Sequence, residues 1–130
     1  MDDPKAFGKK GEELAAKHLE KLGYKVLDKN YRTPVGELDI VAMDGGVVVF
    51  VEVKSRRDTS FGAPELAVNA HKRRQLTRAA YLYLTRKRKA GMPCRFDVVG
   101  ISAVPGGAGG AKPAYEIKVI RDAFEAAGGY

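Results

Sequence analysis

The chain has 130 residues, 45% of them apolar and 30% charged, which suits one globular domain spanning 1–130 and excludes wholesale disorder. Lysine plus arginine number 23 against 16 acids, a net charge of +7, so the expected partner is a polyanion, nucleic acid before an anionic membrane surface. No run approaches a membrane span, the opening Met1-Asp2-Asp3-Pro4 lacks a secretory pattern, and the lone Cys94 forms no internal disulfide; a cytoplasmic protein without a structural zinc site is expected.

Asp3 and Pro4 read as an N-cap and a first helical residue, and the helix should run to about Leu22 and stop at Gly23. Phe7, Leu14, Ala15, His18, Leu19 and Leu22 form its apolar stripe. Glu12 lies at the stripe's edge and can turn inward, and Gly11 within it leaves room for another element to come close. Residues 24–32 read as an edge strand. Residues 37–43 and 47–54 are two more strands, joined at Asp44-Gly45-Gly46, a hairpin turn signal. The second of them is apolar on both faces, as a central covered strand should be. A loop over 55–64 leads to a helix over about 69–90, ending near Gly91, with Leu76, Ala79, Ala80, Tyr83 and Leu84 facing inward. Residues 95–101 and 114–120 are the last strands, joined by a flexible glycine-rich loop at 105–113, and a short helix is expected at 122–127. The order α-β-β-β-α-β-β predicts an α/β fold, a central mixed five-stranded sheet flanked by helices.

The hairpin carries the most informative residues. Glu37 and Asp39 are two apart and should share a strand face, as should Glu52 and Lys54. If Gly45 and Gly46 form a two-residue loop, paired positions sum to 91. Asp39 then falls opposite Glu52, and Glu37 opposite Lys54. Opposed carboxylates on a half-buried sheet repel, and a divalent cation such as Mg²⁺ or Mn²⁺ would reverse the sign. The competing reading is that these are solvated charges near strand ends.

Residues 66–96 hold nine cations and no acid, so the other 99 residues carry −2. Such a run is a solvated helix face or a grip on phosphates, and its self-repulsion favours the grip. Arg73, Arg74, Arg78, Arg86, Lys87, Arg88 and Lys89 would hold a nucleic-acid backbone without reading its sequence. Arg56 and Arg57, just after the Glu52-Val-Lys54 strand, are further candidates, and Lys72 is placed to reach a scissile phosphate. Tyr31 either stacks on a base or packs as an edge-strand residue; Tyr81 and Tyr83 should pack; Cys94 should be a buried small hydrophobe.

Glu37-x-Asp39-Ile-Val-Ala followed by Phe50-Val-Glu52-Val-Lys54-x-Arg56 resembles the PD-(D/E)xK nuclease superfamily and its restriction-endonuclease-like fold. With Gly8-Lys-x-Gly11-Glu12, Asn30-Tyr31-Arg32, Gly36-Glu37-x-Asp39, Lys72 and Cys94-Arg-Phe-Asp97-Val-Val, most of the chain is similar to the YraN family of small predicted endonucleases. That family in turn resembles archaeal Holliday-junction resolvases, which work as dimers. The resemblance implies Asp39 and Glu52 as Mg²⁺ or Mn²⁺ ligands, Glu12 as an accessory acid at the metal, and the Val53 carbonyl completing the sphere. It implies that Lys54 positions the attacking water and stabilises the charged transition state. Leu38 stands where many members have proline, and Ala79 follows Gln75 where some related nucleases have tyrosine. The expected activity is metal-dependent DNA endonuclease, on branched or structured DNA. The alternatives are a non-catalytic nucleic-acid-binding module and, third, an RNA-associated factor.

Overall fold

The computed structural model describes residues 4–56, 68–104 and 114–127, with side chains from residue 8 onward. Two helices and five strands follow the expected order: α1 (Pro4–Lys21), β1 (Lys25–Thr33), β2 (Gly36–Asp44), β3 (Val47–Arg56), α2 (Ala70–Arg86), β4 (Cys94–Val104) and β5 (Ala114–Phe124). The Asp3 cap, the Phe7 side chain, Arg57, most of the 55–64 loop and the 105–113 loop lie outside the described residues.

The strands lie in the sheet in their order along the chain, β1-β2-β3-β4-β5. β3 and β4 are parallel, with α2 between them in sequence, and the other neighbours are antiparallel. β3 is covered on both faces, as its unbroken apolar run requires. Val48 and Phe50 belong to the core that packs against α2, together with Leu76, Ala80, Tyr83 and Phe96. Val49 and Val51 belong to the core against α1, with Ala15, Leu19 and Ile101.

Both helices end by the same device. At α1, Tyr24 N–H bonds the Leu19 carbonyl and Gly23 N–H the Glu20 carbonyl, with Gly23 left-handed at φ 96°. At α2 the matching bonds run from Lys89 to Leu84 and from Arg88 to Thr85, and Arg88 takes the left-handed position at φ 56°. The helix therefore stops at Arg86, short of the Gly91 stop read from sequence, because an arginine holds the conformation usually left to glycine. Beyond Arg86 the chain turns at 87, 88 and 90, so Arg88 and Lys89 are not helical.

Four other expectations need correction. The tail is not a helix at 122–127: β5 continues to Phe124, which pairs with Phe96 and stacks on it at 4.9 Å. A bulge with Asp122 at φ 51° brings Phe124 to the core, and that burial overrides local helix propensity. Leu22 is 45% exposed beyond the end of α1. Cys94 is exposed at the start of β4. Tyr31 packs, edge-on to Tyr83 at 4.9 Å, whereas Tyr81 is 51% exposed.

Gly11 does what its place in the stripe suggested. It is buried, and a Cβ built on it would overlap Ser55 Oγ and stand 3.1 Å from Ser55 Cβ. α1 thus crosses β3 closely at Ser55, beside Lys54, with Ile101 Cδ1 also 3.7 Å from that Cβ position. Gly11→Ala should destabilise the protein by about 1–3 kcal/mol, despite alanine's advantage in a helix. Adding Ser55→Gly should recover much of the loss in urea unfolding. An unchanged midpoint for the single variant would contradict this packing.

Candidate functional site

The site is made by the parting of two strands. β2 and β3 pair from Asp44↔Val47 to Ile40↔Val51, every pair summing to 91 as the two-residue loop requires. The ladder then ends. β2 stays with β1 down to Gly36, and β3 stays with β4 up to Arg56. Asp39 and Glu52 occupy the next position, at the vertex of this fork. In place of a further ladder bond, Asp39 Oδ2 accepts the Val53 N–H at 2.9 Å.

Glu52 is 4% exposed, and its Oε2 is buried without a hydrogen bond among the described residues. Lys72 Nζ lies 3.4 Å from that oxygen, an ion pair by distance but without hydrogen-bond alignment. Lys72 reaches it from the first turn of α2, where the Asn69 side chain caps the helix by accepting the Lys72 N–H at 2.9 Å. Burial, then the hydrogen bond and the charge of Glu52, push the Asp39 carboxyl well above the usual carboxylate range; the Val53 N–H and Lys72 only partly oppose this. The two acids therefore behave as a pair that resists carrying two charges.

A second buried acid provides the contrast. Asp97, fully buried, accepts from Tyr24 Oη at 2.9 Å, Arg95 Nε at 3.0 Å and the Asp122 N–H at 2.9 Å. Arg95 also bonds Asp44 at 2.8 Å and Tyr24 Oη at 2.8 Å. Every group there is satisfied, so Asp97 is a structural acid that ties the β4–β5 bulge to the hairpin turn. Sequence reasoning named it within a family segment but gave it no role, although an acid interrupting an apolar strand was the same signal that marked Glu52.

Around the vertex the expected residues are only partly assembled. Glu12, half-buried on α1, accepts from Asn30 Nδ2 at 2.6 Å; burial raises its pKa, and the Asp39 and Glu37 charges add to that while the Asn30 bond opposes it. Glu37 does not face Lys54. With the ladder ended, it turns to β1, taking the same Asn30 nitrogen at 2.9 Å and lying 3.9 Å from Arg32 Nε. The alternation expected to put Glu37 and Asp39 on one face is also interrupted: Leu38 packs on the α2 side of the sheet, Ile40 on the α1 side. Opposite this break Asn30 is left-handed at φ 52°. Its bridging role was missed, and only the oddity of asparagine within a strand hinted at it. Gly8, Lys9, Glu12, Asn30, Arg32 and Glu37 line a groove of about 510 Å³. Lys54 is half-buried, with no hydrogen bond or ion pair to its amine among the described residues. Arg56 is half-buried at the end of β3.

The nine cations divide. Lys72 is held by Glu52. Arg73 donates Nε to the Val68 carbonyl at 2.9 Å and lies over the Phe124 ring at 5.3 Å. Lys87 is 4.0 Å from Asp28 and above the Tyr31 and Tyr83 rings. Arg95 belongs to the Asp97 network. Arg74, Arg78, Arg86, Arg88 and Lys89 have no ion pair or side-chain hydrogen bond among the described residues; all but half-buried Lys89 are exposed.

The fold and site define a mixed α/β protein whose open five-stranded sheet forks at a buried acid pair. The chain belongs to the uncharacterised protein family UPF0102, whose sequence profile matches residues 11–101. A UPF0102 protein of Syntrophus aciditrophicus is 46% identical over 122 residues, covering 94% of this chain and 91% of its own. One from Geobacter sulfurreducens is 46% identical over 123 residues, covering 95% and 91%. A third, from Syntrophotalea carbinolica, is 50% identical over 96 residues, covering 74% and 78%. No described helix is long and apolar enough to cross a membrane.

The acid pair has a stability signature. The folded-state pKa of Asp39 is raised, so its contribution is fully present below the ordinary aspartate value and is lost as pH rises through the folded value. Asp39→Asn keeps an acceptor for Val53 and supplies a permanent donor toward Glu52. In the metal-free protein it should be more stable than wild type by roughly 1–2 kcal/mol at pH 8. The gain should vanish below about pH 4, where wild-type Asp39 is protonated in both states. Melting curves across pH check this; equal curves at pH 8 would mean that the two acids do not interact.

Proposed function

We propose that this protein is a metal-dependent DNA endonuclease with a restriction-endonuclease-like fold, hydrolysing phosphodiester bonds in branched or structured DNA. The observation that carries the reading is the vertex itself: a buried Glu52 whose Oε2 has no hydrogen bond among the described residues, against an Asp39 that resists ionisation beside it. In a merely structural role, as at Asp97, such an acid is satisfied by donors.

The residues fit a divalent cation of the Mg²⁺ class. Among the described residues no three His, Cys, Asp or Glu side chains converge on one point. Mg²⁺ does not demand that, because it commonly keeps several waters and takes one or two carboxylates. Asp39 and Glu52 would hold it, with the Val53 carbonyl as a further oxygen donor. When bound, the ion supplies an activated water and stabilises charge on the phosphate. Lys54, its amine uncommitted among the described residues, holds a phosphate oxygen and stabilises the negative charge that develops there. Lys72 offsets the Glu52 charge. Glu12 and Glu37, tethered by Asn30, form an acidic wall at the edge of the groove.

The second reading, a nucleic-acid-binding module without turnover, is favoured by Lys72. Its ammonium already stands 3.4 Å from Glu52 as an internal cation.

Calorimetric titration with Mn²⁺ should give one site in wild type and none in Asp39→Ala. Cleavage of a four-way junction or a single strand should need metal and stop with chelator. Lys54→Ala should bind Mn²⁺ normally and cut about 10²–10³-fold more slowly. Equal Mn²⁺ binding by wild type and Asp39→Ala removes the site, and binding without cleavage of any substrate leaves the module.

A further inference from the structure

The outer face of α2 has no role in the proposed chemistry. At 100° per residue His71, Arg74, Arg78, Tyr81 and Thr85 fall within an arc of about 80°. All five are exposed. The stripe points directly away from the buried face, which holds Leu76, Thr77, Ala79, Ala80 and Tyr83. It is about 21 Å long.

Two independent features mark it. The first is charge left over. Four of the nine cations of residues 66–96 are committed within the fold, and two of the remainder, Arg74 and Arg78, stand one turn apart on this stripe. No acid occurs anywhere in residues 66–96, so a cation one turn from another has no local counter-charge. Glu125 stands across a groove from Arg74 at the N-terminal end, without an ion pair to it among the described residues. The second feature is Tyr81. Among the described residues, Leu22 and Tyr81 are the exposed large hydrophobic side chains, and Tyr81 sits one turn beyond Arg78. Two cations one turn apart, with an aromatic ring one turn further along the same face, are what an unpaired strand needs: phosphates on the arginines, a base on the ring. A duplex has no free base face to offer such a ring.

We propose that the outer face of α2 binds single-stranded nucleic acid, with a base stacked on Tyr81 and phosphates on Arg74 and Arg78. The inference concerns binding alone and is read with chelator present, so it stands or falls separately from hydrolysis. It extends the substrate class to nucleic acid with an unpaired segment.

The test uses the full chain, EDTA, and a labelled single strand of about twelve nucleotides, within the span one domain covers, against a blunt duplex of the same length. Wild type should prefer the single strand. Tyr81→Ala should weaken single-strand binding about 5- to 150-fold and leave duplex binding unchanged. Replacing Arg74 and Arg78 with glutamine should lower the slope of log affinity against log salt by about 1.4. The protein has no tryptophan, so Tyr81→Trp places a single reporter on the stripe. It should retain affinity, and its emission should be quenched by the single strand and not by the duplex. Unfolding curves matching wild type confirm that these exposed-site variants are folded. The proposal is overturned if the single strand does not bind, if Tyr81→Ala binds it as wild type does, or if Tyr81→Ala weakens single strand and duplex alike.

Discussion

The ladder between β2 and β3 stops after Ile40 and Val51, and the rest of the site follows from that stop. A continued antiparallel pair would give Val53 a backbone partner and press Asp39 flat against Glu52. With the strands parting, Val53 offers its N–H to the Asp39 side chain instead. The acid at the vertex is held by main chain on one side and by another acid on the other. β3 keeps its pairing to β4 through Arg56 and β2 keeps its pairing to β1 through Gly36, so beyond the vertex each strand is laddered on its outer edge alone.

Two buried acids in one sheet have different roles because of their donors. Asp97 gathers a tyrosine, an arginine and a main-chain N–H, each placed by a different element. Among the described residues Glu52 has only a misaligned lysine and a reluctant neighbour. Burying an acid without adequate partners costs stability, and that uncompensated cost is the ground for proposing a cation at the vertex. The same comparison sorts the cations. Those with carbonyl, ring or carboxylate partners hold the fold together, and those left over define a surface.

Much of this was legible in the residues. The Asp44-Gly45-Gly46 turn determined the register, and the register brought Asp39 to Glu52. Gly11 in an apolar stripe foretold a close crossing. What could not be read was where pairing ends, since a turn signal sets the register of a ladder and not its length. Glu37 was therefore assigned to Lys54, when the open fork left it to Asn30 and Arg32. Alternation also failed at Asp39, because a left-handed asparagine on the neighbouring strand leaves no mark in a period-two pattern. At the tail, the demand of the core for Phe124 outweighed a helical composition, and at residue 88 an arginine took a conformation that sequence reading reserves for glycine.

A sheet whose spatial order repeats its chain order also dictates how it can assemble. β1, β2 and β3 are joined by short turns, so closing them costs little chain entropy, and β4 with β5 is a second local pair. The parallel seam between β3 and β4 alone needs a long crossover, and α2 lies within it. The hairpin bearing Asp39 and Glu52 can therefore form while Glu52 is still in water. Its carboxylate is desolvated only when the second half docks, and the same step delivers Lys72 from the start of α2. The chain thus defers its least favourable burial to the event that brings the compensating charge.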